Sequence, residues 1–114
     1  MANVNFSEVF IPVAHGNDKA EKPIRFHIRF LTAAEQSEME YMQFVSVEGK
    51  AKPRVNVRID SAFIFLRGVE SIEGWDGGST AEEFANARGP AWMGEMVREV
   101  ALHIKQAMEI DEKN

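Results

Sequence analysis

The chain has 114 residues, no cysteine and a net charge of −5. That length suits one domain with a real core, because folding at this size buries roughly two-thirds of the surface the unfolded chain exposes. The lack of cysteine excludes disulfides, thiolate zinc sites and cysteine nucleophiles.

Charge is unevenly spread. Residues 1–57 carry seven acidic and seven basic side chains, and residues 58–114 carry eleven acidic and six basic. The deficit of five therefore lies in the second half, where it opposes contact with phosphate backbones and favours solubility or a basic partner. Met1 to Pro12 has neither the basic start nor the apolar run of a signal peptide, and no apolar stretch approaches the roughly 18 residues of a membrane span. A soluble, intracellular protein is expected, with neither nucleic acid nor membrane among its partners.

The first third reads as β-structure. Val9, Ile11 and Val13 alternate, as do Ile24, Phe26, Ile28 and Phe30, with Arg25, His27 and Arg29 on the opposite face. Between them, His15 to Pro23 is rich in turn formers and charge, which predicts the loop of a long hairpin. Thr32 stands three residues before Glu35, the capping-box spacing, and opens a helix expected to reach about Ser46 with Met39, Met42 and Val45 as its apolar stripe. Glu48 to Pro53 ends it, and residues 48–54 form a candidate flexible joint.

Val55 to Ile72 carries two patterns. Val55, Val57 and Ile59 alternate like a strand, whereas Ile59, Ala62, Phe63, Leu66 and Val69 recur at helical spacing, which favours a helix from about Asp60. Trp75-Asp76-Gly77-Gly78 then predicts a turn. Thr80 and Glu83 form a second capping box on a short helix ending near Ala87. Gly89-Pro90 leads into the last helix. There Trp92, Met93, Met96, Val97, Val100, Ala101, Ile104, Ala107 and Met108 trace one face, while Glu95, Arg98, Glu99, Lys105 and Gln106 fill the other. The tail from Asp111 to Asn114 is expected to fray. The expected fold is α+β in a single domain, with a β-hairpin over residues 1–31 and a bundle of about four helices over 32–110.

No grouping of side chains suggests a reaction. His15 falls in the polar loop, His27 on the polar face of a strand and His103 beside an apolar helix face, and none has a second ligand at the four-residue spacing of a helical zinc site. Glu35, Glu38, Glu40, Glu70 and Glu73 read as local charges on helix surfaces rather than as a pair across a cleft. The Asp76-Gly-Gly-Ser-Thr stretch lacks the lysine after its glycines and the clear strand before them that a phosphate-binding loop would have. Arg25, Arg29 and Arg54 with Phe26 and Phe30 make a poor nucleic-acid face, because each phenylalanine points away from its arginine neighbour. Neither a cofactor nor a metal is expected.

Methionine and tryptophan carry the one binding signal. Met93, Met96 and Met108 share the last helix with Trp92, and flexible thioethers suit adaptable apolar surfaces, although such a stripe more often faces a core. Trp75 carries the same ambiguity. These five residues, Trp75, Trp92, Met93, Met96 and Met108, are the candidate partner-binding set.

The order of parts, with Val69, Ile72, Gly74, Trp75, Asp76, Gly77, Thr80 and Phe84 before a methionine-rich closing helix, resembles the small tail assembly chaperones of long-tailed bacteriophages and prophages. The resemblance covers residues 59–109, and its motifs are structural. It implies a non-enzymatic protein of the bacterial cytoplasm that shields the tape-measure protein while the tail tube polymerises, with the tail-tube protein as a second candidate partner. Self-association is compatible with that role. Family members often have a frameshifted longer product, and Glu112-Lys113-Asn114 could be encoded by a slippery run of adenines. The alternative from the structural class is a virion component, such as a head-tail connector or tail-completion protein.

Overall fold

Phe26 and Ile28 are fully buried while Arg25 is exposed, so the strand β2 (Arg25–Arg29) is the sheet's organising element. In the computed structural model, which describes residues 7–42 and 61–113, β1 (Ser7–Phe10) and β3 (Val69–Glu73) pair antiparallel on either side of it. The chain is α+β, with a three-stranded antiparallel sheet and helices packed against it.

Register inverts one expectation. Phe10 pairs with Phe26 and Glu8 with Ile28, so Phe10 and Glu8 face the core side, whereas Val9 lies opposite the outward His27. Val9 is 48% exposed and Val13, beyond the strand, 60%. The apolar alternation in the sequence therefore marks the outer face of β1. The inner face is made by Phe10, by buried Pro12 and by Glu8, whose carboxylate Oε1 meets Nε2 of His103 at 2.6 Å.

The hairpin loop is ordered. It contains a kinked 3-10 segment, Ala14–Lys19, closed from within by the buried Asn17. The Asn17 amide donates to the carbonyls of Pro12 and Ile24 at 3.0 Å each, and its oxygen accepts from the Ile24 N–H at 2.8 Å. All three bonds hold the two ends of the loop together, as a buried amide requires.

α1 (Ala33–Met42) starts on the expected capping box, with the Thr32 N–H donating to Glu35 at 2.8 Å and the Glu35 N–H donating to Thr32 at 3.2 Å. The side chains of Met39, Met42 and Val45, the joint at 48–54 and the ambiguous stretch 55–60 lie outside the described residues.

α2 (Ser61–Gly68) buries Ile64, Phe65 and Gly68 and leaves Leu66 exposed. It stops at Gly68, and the chain then continues as β3 rather than as helix to Ile72. A β-bulge explains why the sequence hid this strand. Ile28 pairs with Val69 but His27 pairs with Ser71, so one extra residue on β3 sets the buried Val69 and Ile72 three apart, the spacing of a helix face.

α3 (Ala81–Asn86) carries the second capping box. α4 (Ala91–Lys113) continues into the tail expected to fray. It buries Met93, Met96, Val100, Ala101 and Ile104 on the face read from the sequence. Phe26, Phe65 and Phe84 meet at centroid distances of 5.4 to 5.7 Å and join sheet, α2 and α3 in one core that α4 closes. α2 and α4 approach closely at Gly68, where a methyl group would fall 2.6 Å from Cδ1 of Ile104.

Candidate functional site

Two glycines shape the turn after β3. Gly74 has φ of +81°, and a side chain there would sit 2.5 Å from the Pro23 carbonyl oxygen, so only glycine lets the end of β3 lie against the start of β2. At Gly77 a Cβ would fall 2.4 Å from the indole of Trp75, so the turn backbone lies directly against the ring. The Phe84 ring also packs on the indole, in a T-shaped arrangement at 4.8 Å between centroids. Trp75 is thereby fixed while remaining half-buried.

Trp92 stands on the first turn of α4, also half-buried, with His15 stacked on it at 5.8 Å and 12° between the ring planes. His15 adopts φ of +55°, an uncommon conformation for a residue with a side chain, costing on the order of 1–3 kcal/mol when the surroundings impose it. Those surroundings are identifiable. The Gly16 N–H donates to the Val13 carbonyl at 3.1 Å, Asn17 locks the loop, and Glu99 of α4 accepts from the N–H groups of Val13 at 2.7 Å and Ala14 at 3.0 Å. Glu99, expected on a solvated face, is instead a half-buried clamp on the loop.

These pieces enclose one open groove of about 440 Å³, walled by Trp75, Trp92, His15 and Ile24 over Met96, with Lys22 and Asp76 also lining it. The structure thus brings together three of the five candidate partner-binding residues, Trp75, Trp92 and Met96. Met96 is 2% exposed and Met93 8%, so both are core residues, Met96 presenting only its edge to the groove. Met108 packs partly buried against the same core, but sixteen residues along α4, roughly 24 Å from Trp92. It belongs to a different part of the surface.

His15, Lys22 and Asp76 were not among the expected partner-binding residues. Nothing in a turn-forming loop signals that its histidine will stack on a tryptophan 77 positions away. For Asp76 the adjacent Trp75 was the available clue.

Among the remaining charged candidates, His27, Glu73, His103, Arg29 and Glu35 have structural partners. His27 Nε2 lies 2.8 Å from Glu73 Oε1 across the outer sheet face, and His103 also stacks on Phe10 at 4.1 Å. Arg29 donates to both carboxylate oxygens of Glu35 at 3.1 and 3.2 Å. These bonds, with the Thr32 N–H, hold the Glu35 carboxyl below its ordinary range, outweighing the opposing effect of partial burial. Glu83 is lowered likewise by the Thr80 hydroxyl and the N–H groups of Ser79 and Thr80.

A second concavity, of about 330 Å³, lies between α2 and α3 beside Phe63, Leu66 and Arg67, whose guanidinium sits 5.4 Å from the Phe63 ring centre. Among the described residues, no cluster of three or more histidine, aspartate or glutamate side chains is placed to hold a metal ion, and no helix is long and apolar enough to cross a membrane. No protein-family model, curated protein or solved structure matches this chain.

Proposed function

We propose that this chain is a non-enzymatic tail assembly chaperone of a long-tailed phage or prophage, acting in the bacterial cytoplasm on the tape-measure protein. The observation that carries the reading is the convergence of Trp75 and Trp92, two of the residues expected to bind a partner, on one open groove. Half-buried tryptophans on rigid supports supply large contact area at little cost in side-chain entropy, which suits docking of an extended or helical partner. The net charge of −5 keeps such a surface soluble and favours a basic partner. Met93 and Met96 serve this role from beneath, as core that holds Trp92 in place. The resemblance over residues 59–109 supplies the identity of the partner.

Expression of the tagged chain from its native operon, followed by capture and mass spectrometry, tests the proposal. Stoichiometric recovery of a very long helical protein, with the tail-tube protein as a second capture, is the expected result. Retention of the chain in purified virions, or recovery with capsid and connector proteins alone, would assign it instead to the structural class of virion components.

A further inference from the structure

We propose that the Trp75–Trp92 groove is a receptor for an arginine side chain presented by a partner polypeptide. The inference names the chemistry of what enters the groove and rests on the reading of that groove as a partner-docking surface, while the peptide titration tests it independently of which protein is captured.

Three observations lead to it. Three aromatic side chains line the groove, Trp75, Trp92 and His15, supplied by three separate segments and held by the turn glycine, the Phe84 contact and the Glu99 clamp. A guanidinium is the cation best suited to such walls, because it is planar, stacks on aromatic rings and sheds water more readily than an ammonium. Asp76 is exposed at the groove and has no hydrogen-bond or ion-pair partner among the described residues, so its two oxygens are available for the paired N–H donors of an arginine. The chain as a whole carries −5, which draws cations toward it and repels anions.

Lys22 also lines the groove, exposed and without an ion-pair partner among the described residues. Its charge opposes a cationic guest, so it restrains affinity where Asp76 promotes it. The two residues therefore give predictions of opposite sign, and a guest of opposite charge would reverse both.

The chain has two tryptophans and both line this groove, so their indole N–H resonances report it directly. The full-length protein is titrated with acetyl-Gly-Arg-Gly-amide, and with the peptides carrying lysine, glutamine or glutamate at the centre. Expected are saturable shifts of both resonances with the arginine peptide, weaker binding of the lysine peptide, and none of the other two. Asp76→Asn should weaken arginine binding by roughly two- to five-fold, the scale of an exposed ion pair, and Lys22→Glu should strengthen it by a similar factor. Both positions are exposed, so the folded spectrum should persist in both variants. Absence of saturable shifts with arginine, equal binding of the glutamine peptide, preference for the glutamate peptide, or an Asp76→Asn variant that binds as well as the parent would each overturn the proposal.

Discussion

Glu35 makes four hydrogen bonds at the junction of β2 and α1, two from Arg29, one from the Thr32 N–H and one through its own N–H to the Thr32 hydroxyl. Because its folded carboxyl titrates below the ordinary value of about 4.5, the unfolded chain takes up this proton first as acid is added. The stabilisation is thus complete above that value and drains away as pH falls through the lower, folded one. Glu83 contributes in the same direction. Thermal melts from neutral pH down to about pH 3 should show an acid limb that becomes shallower in Glu35→Gln, and an unchanged limb would remove Glu35 from the account. Both capping boxes were legible in the sequence because they depend only on residues three positions apart. Asn17 was not, since its three bonds depend on the loop ends being brought together by β1 and β2. His15 was invisible for a similar reason, its role being set by a positive φ and by Trp92 of a distant helix.

At the level of elements, the junction of α2 and β3 is tightly constrained. A methyl group at Gly68 would lie 2.6 Å from Cδ1 of the fully buried Ile104, and 3.4 Å from the Arg29 carbonyl oxygen. Gly68→Ala should cost about 1–3 kcal/mol through overpacking. Ile104→Val removes the offending Cδ1 and on its own should cost about 0.5–1.5 kcal/mol. In the double variant the loss, measured by urea unfolding, should be smaller than the sum of the two single losses, and strict additivity would show that the contact is relieved some other way. The same junction explains what pattern reading missed. A regular strand would have placed its core residues two apart, but the bulge at His27/Ile28 separates Val69 from Ile72 by three and imitates a helix. On β1 the error was one of face. The sequence shows alternation, but which set turns inward is dictated by pairing with Phe26 and Ile28. α4 was legible almost completely, because its apolar stripe repeats one periodicity from Trp92 to Met108 and local irregularity cannot disguise it.

On the scale of the whole molecule, the hairpin and the last helix are held together by side chains more than by backbone pairing. Glu99 takes two loop N–H groups, and His103 holds Glu8 while stacking on Phe10. Glutamine at position 99 can accept with only one oxygen and would turn its amide donors toward the second N–H. Glu99→Gln should therefore destabilise the chain by roughly 1–2 kcal/mol, with amide hydrogen exchange accelerated first at Val13 and Ala14. Global acceleration with no preference for those two amides would assign the loss to α4 itself. The α+β class followed from counting periodicities along the chain. The groove did not, because Trp75 and Trp92 could each be named but their meeting needs Gly74 to admit Pro23 and α4 to close the core.

The Glu99 clamp spans 85 and 86 positions, and the Glu8–His103 contact spans 95. A ribosome making this chain releases β1, the loop and β2 long before their partners exist. Phe26 and Ile28 must wait for α2 and α4 to cover them, and His15 has no tryptophan to stack on until α4 emerges. Such non-local closure slows folding and leaves apolar strands exposed during synthesis. The groove is therefore among the last features of the molecule to form, and a chain whose α4 has not yet left the ribosome is unable to engage a partner through it.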